Sequence, residues 1–84
     1  MESFIKKGYK YLVFSPFDYE HKWFHSESDK NIEVLISNEW LIQYENHLPK
    51  ILIIGDIVEF KTSTNHRLIP GKGNLVLRYK QSLQ

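Results

Sequence analysis

The chain has 84 residues, no cysteine and a net charge of +1, which excludes a disulfide-stapled scaffold, a thiolate metal site and a protein that holds polyanions by bulk charge. A domain this small buries only roughly 60–65% of its unfolded surface. Its core must come from large side chains, and a content of 42% hydrophobic and 14% aromatic residues supplies them.

Charge is uneven along the chain. Residues 1–17 hold three Lys against Glu2, residues 18–59 hold three Lys against nine acids, and residues 60–84 hold five cations and no acid. A basic tip is compatible with that distribution. Lys6, Lys7 and Lys10 precede an apolar run at 11–14 that is far too short for a signal peptide or a membrane span. The expectation is one soluble cytoplasmic domain over 1–84.

Tyr9–Phe14 reads as the first strand, since β-branched and aromatic residues dominate it. Ser15-Pro16-Phe17-Asp18 breaks it, because Pro16 cannot donate to a ladder and Ser and Asp favour turns. A second strand is expected over 20–25, with His21, Trp23 and His25 on one face and Lys22 and Phe24 on the other. The polar stretch 26–31 then leads to a third strand at 32–36, so that strands two and three form a hairpin.

At Ser37 the period changes. A serine there can cap a following helix, Glu39 suits a helix N-terminus, and Trp40, Leu41, Tyr44 and Leu48 fall at three- and four-residue spacing. A helix is predicted over 38–47, ended by Pro49. Residues 50–54 read as a buried extended approach to Gly55-Asp56-Ile57-Val58-Glu59-Phe60-Lys61, the fourth strand, bent at Gly55. Residues 62–73 are expected to be a loop ending in Pro70-Gly71-Lys72-Gly73, and residues 74–80 a fifth strand before a frayed end. Leu41, Tyr44, Val58 and Phe60 are the expected core.

The resulting class is mainly β with one helix. Three strands, a helix and two strands, together with Gly55-Asp56-Ile57-Val58-Glu59-Phe60, resemble the OB fold, a five-stranded small barrel that binds oligonucleotides and oligosaccharides. An SH3-like barrel and an open α+β sheet are the alternatives.

Candidate chemistry is sparse. His21 and His25 in a strand lie about 13 Å apart, too far to share a metal ion. Lys72 in Gly71-Lys72-Gly73 lacks the longer glycine-rich lead and the following Ser or Thr of a phosphate loop. No nucleophile elbow, paired acids or cofactor motif occurs, so neither catalysis nor a cofactor is expected.

In an OB fold, the face of strands two and three and the loops after strands one and four bind ligand. Carried onto this chain, the resemblance implies a single-stranded DNA or RNA interface made by Phe17, Tyr19, His21, Trp23, His25, His66, Arg67 and Lys72. Bases would stack on the aromatic rings while cations hold phosphates. Asp18, Glu20, Glu27 and Asp29 border that surface and oppose it. The rival expectation is a small protein-interaction subunit using the apolar run 51–54 and free sheet edges. An accessory subunit of a nucleic-acid-processing complex would combine both.

Overall fold

A computed structural model describes residues 1–19 and 22–81. Eight strands form: β1 (Glu2–Lys6), β2 (Tyr9–Phe14), β3 (Lys30–Ile36), β4 (Leu41–Tyr44), β5 (Lys50–Ile51), β6 (Ile57–Phe60), β7 (His66–Ile69) and β8 (Leu75–Lys80). They build a five-stranded sheet in the order β1-β2-β8-β3-β6 and a three-stranded sheet in the order β5-β4-β7. All neighbouring strands in the two sheets pair antiparallel.

The expected barrel with one helix is therefore corrected to an all-β, two-sheet architecture, and no helix forms among the described residues. Among the described residues there is accordingly no helix long and apolar enough to cross a membrane. The predicted helix over 38–47 fails at its first turn, where Asn38 and Glu39 both adopt positive φ (51° and 68°), a conformation that no α-helix contains. Ser37 does not cap. Its hydroxyl donates to the Leu52 carbonyl, tying the end of β3 to the residue after β5.

Other boundaries change as well. Of the expected second strand, residues 20 and 21 lie outside the described residues and 22–25 contribute one bridge, between Phe24 and His66; β3 pairs with β6 and β8 rather than with this segment. The fourth strand is broken into β5 and β6 around Gly55, which does bend the chain with φ 94°. The loop expected over 62–73 contains β7. The basic N-terminal segment forms β1, joined to β2 by a two-residue turn in which Lys7 and Gly8 have φ of 51° and 84°, the signs of a type I′ hairpin turn.

The core lies between the sheets. Ile32, Val34, Val58, Phe60, Leu75 and Leu77 come from the larger sheet, Trp40, Ile42 and Leu68 from the smaller sheet and its approach. Val58 and Phe60 are buried as expected, whereas Leu41 faces away from Ile42 and Tyr44 is only half-buried. Trp40 joins the connections around the sheets: its indole N–H donates to the Gly73 carbonyl, just before β8, at 2.6 Å, and the Trp40 carbonyl accepts from Leu52 N–H at 2.9 Å.

Candidate functional site: an aromatic and basic sheet face

Strand alternation sends Leu12, Phe14, Leu75, Leu77, Ile32 and Val34 inward, so Tyr9, Tyr11, Arg78 and Glu33 point outward from the same strands. Registers place Phe4, Tyr11, Arg78, Glu33 and Ile57 in one row across all five strands. The next row sets Tyr9 between Lys6 and Lys80.

These residues touch as their spacing requires. Phe4 and Tyr11 stack with centroids 4.9 Å apart and planes 7° apart, and Phe4 is 50% exposed. The Arg78 guanidinium lies 4.4 Å from the Tyr9 ring centroid, donates through Nε to Glu33 at 2.7 Å and through an Nη to the Tyr11 hydroxyl at 3.3 Å. The hydrogen bond to Glu33 is the main reason the guanidinium holds its proton even more firmly than usual. Glu33 is thereby occupied. Lys6, Lys7 and Lys80, all exposed, add charge at the turn end of this face. Chemically, the face offers flat apolar rings with fixed cations between them, which suits stacked bases and phosphates.

The residues singled out from sequence are dispersed. Trp23 and Arg67 are brought together: they lie opposite each other beside the Phe24–His66 bridge, with the guanidinium 4.9 Å from the indole centroid and its Nε donating to Gln43 Oε1 at 2.8 Å. Trp23 is 44% exposed, His25 is exposed next to it, and Phe17 is 92% exposed in the turn after β2. Tyr19 is half-buried against Phe14 and Trp40, its hydroxyl accepting from Leu68 N–H, and burial pushes that hydroxyl's pKa up. Lys72 pairs with Glu39 at 3.2 Å on a distant turn. His21 lies outside the described residues.

His66 departs furthest from a ligand-contact role, because it is fully buried. Its ring packs 4.2 Å from both Phe24 and Phe60, centroid to centroid, and among the described residues neither ring nitrogen meets a partner in good hydrogen-bond geometry, the Thr64 backbone being the nearest acceptor to count. Desolvation lowers its pKa below the ordinary 6.5, opposed in part by the Thr64 backbone.

Phe4, Tyr9, Tyr11, Lys6 and Lys80 were not singled out from sequence. The signal was the run Tyr9, Tyr11 at strand spacing flanked by Lys6, Lys7 and Lys10, but their cross-strand partners come from β8, nearly seventy positions away.

No protein-family model matches this chain, and no curated protein matches it either. Among solved structures it is similar in fold to protein NMB1881 from Neisseria meningitidis, with a TM-score of 0.65 and 14% sequence identity over 96% of this chain and 81% of that one. At that identity the likeness concerns the fold alone.

Proposed function

We propose that the protein is a non-catalytic binding module that takes single-stranded DNA or RNA across the outer face of its five-stranded sheet, as the small accessory subunit of a nucleic-acid-processing assembly. The observation that carries this reading is the pair of rows in which Phe4 stacks on Tyr11 and Tyr9 sits between Lys6 and Lys80. Base stacking on such rings contributes about 1–3 kcal/mol per base and tolerates any sequence. Glu33, the acid nearest the centre of the face, is already neutralised by Arg78.

Anisotropy titrations with labelled poly-dT and poly-U at two salt concentrations test the reading. Binding that weakens with salt supports it, and no binding at low salt rejects it.

A second reading, a protein-interaction subunit, is favoured by one separate observation. Ile51, Ile53, Ile54 and Ile57 are all exposed while only Leu52 between them is buried, an apolar display that a free monomer rarely keeps.

A further inference from the structure

The five-stranded sheet has two more strands than the three-stranded sheet, and Ser15, Asp18, Tyr19 and Phe24, which follow β2, stand against its inner face. Between the two lies a cleft of about 420 Å³, walled by Leu12, Phe14, Phe24, Ile32, Phe60 and Tyr79. Protein interiors hold few voids larger than a water molecule, and a concave apolar site of this volume falls in the range of small-molecule pockets. Its walls are fixed by strands on one side and by the Phe24–His66 bridge on the other.

Polar groups also line it. Lys30 Nζ, part-buried, donates to Ser26 Oγ at 2.8 Å and to Ser28 Oγ at 3.0 Å, and lies 5.4 Å from the Tyr79 ring centroid. These partners are neutral, and no described carboxylate forms an ion pair with it. Ser26 also lines the cleft. Because its oxygen accepts from Lys30, its own hydroxyl proton stays available to an anion. Lys22 and Asp18 line it as well, so its side chains carry two lysines against one acid, a formal charge of +1.

We infer that this cleft binds a small amphiphilic monoanion, a carboxylate on an aromatic or medium-length aliphatic body, with its head on Lys30 and Ser26. One carboxylate matches that formal charge of +1 and takes charge-assisted hydrogen bonds from the Lys30 ammonium. A neutral ligand would leave the ammonium uncompensated, and a cationic one would face it. The inference is independent of the nucleic-acid reading, since the cleft opens on the inner face of the sheet.

The test is calorimetric titration of the whole chain with decanoate below its micellar concentration, with decanol and decylamine as neutral and cationic controls. Decanoate should bind saturably at one site, decanol about tenfold more weakly, and decylamine not at all. Lys30→Met, which keeps the apolar stem, should bring decanoate down to the affinity of decanol. Leu12→Trp, which fills the cleft, should abolish both. Should Lys30→Met fail to fold, Ser26→Ala gives the same comparison with a smaller loss. Absence of saturable decanoate binding, equal binding of decanoate and decanol, or decanoate affinity unchanged in both head-group variants would overturn the assignment.

Discussion

Phe4 and Tyr11 stack face to face across the β1–β2 hairpin, with ring planes 7° apart, and the free side of Phe4 looks onto solvent. A ring held this way is pre-ordered for a base and contributes little to the core, because β1 is exposed along its whole length. Phe4→Ala should therefore cost about 1–3 kcal/mol of oligonucleotide affinity while leaving the urea midpoint almost unchanged. Lys6→Ala and Lys80→Ala should each flatten the log–log salt dependence by about 0.7, the value per phosphate contact on a single strand. If Trp23→Ala and Arg67→Ala weaken binding and these three do not, the ligand lies on the smaller sheet instead.

Gly71 tests how the sheets are joined. A Cβ at this position would lie 2.7 Å from Trp40 N and collide with the Asn38 carbonyl oxygen, in the turn where Trp40 is anchored to Gly73. Backbone cannot yield as a flexible side chain can, so Gly71→Ala should destabilise by about 3–4 kcal/mol, near the upper end for single substitutions. Gly8 makes the control. It has positive φ but open space around it, and Gly8→Ala should cost only about 1 kcal/mol by urea denaturation. Equal effects at the two sites would show that the Gly71 approach is not needed.

The Trp40 region also explains why part of the fold was illegible in the sequence. Trp40 and Tyr44 are four apart, a spacing that puts two residues on one side of a helix and equally on one side of a strand. Ile42, buried between them, fits only the strand, and the positive φ values at Asn38 and Glu39 exclude the helix. β2, β3, β8 and the Gly55 bend were readable because their core-facing residues alternate or their glycine marks a turn. β1 was not, since a strand with every residue exposed carries no pattern. β7 was hidden by chemistry: His66 fills a core position with a polar side chain, and so resembled a ligand contact.

His66 should make stability depend on pH. Its buried ring disfavours the imidazolium, so the folded-state pKa lies below 6.5 while the unfolded chain binds a proton near 6.5. Between these values the unfolded state holds more protons, and stability is lost as pH falls below about 6.5. The urea midpoint should thus drop between about pH 7.5 and about pH 5, and His66→Leu should drop less, since it removes the titrating group. Every other ionisable side chain is common to the two proteins, so the difference between them isolates His66. An identical pH dependence would mean that the ring is accommodated in both protonation states.

The isoleucines of the β5–β6 connection separate the two partner classes. Ile54 is 67% exposed in the turn before Gly55 and packs no core, so Ile54→Lys should change stability by no more than about 0.5 kcal/mol. If the chain is a subunit that covers this patch, the wild type should self-associate in light scattering, or recover one protein in stoichiometric amount from its native extract. The lysine variant should lose that association, because a charge desolvated inside an apolar interface without a partner is strongly unfavourable. Oligonucleotide binding should survive in the same variant, as Ile54 belongs to neither row of the aromatic face. A wild type that stays monomeric, recovers no partner and behaves like Ile54→Lys in every assay would reject the interface and leave the exposed isoleucines without a binding role.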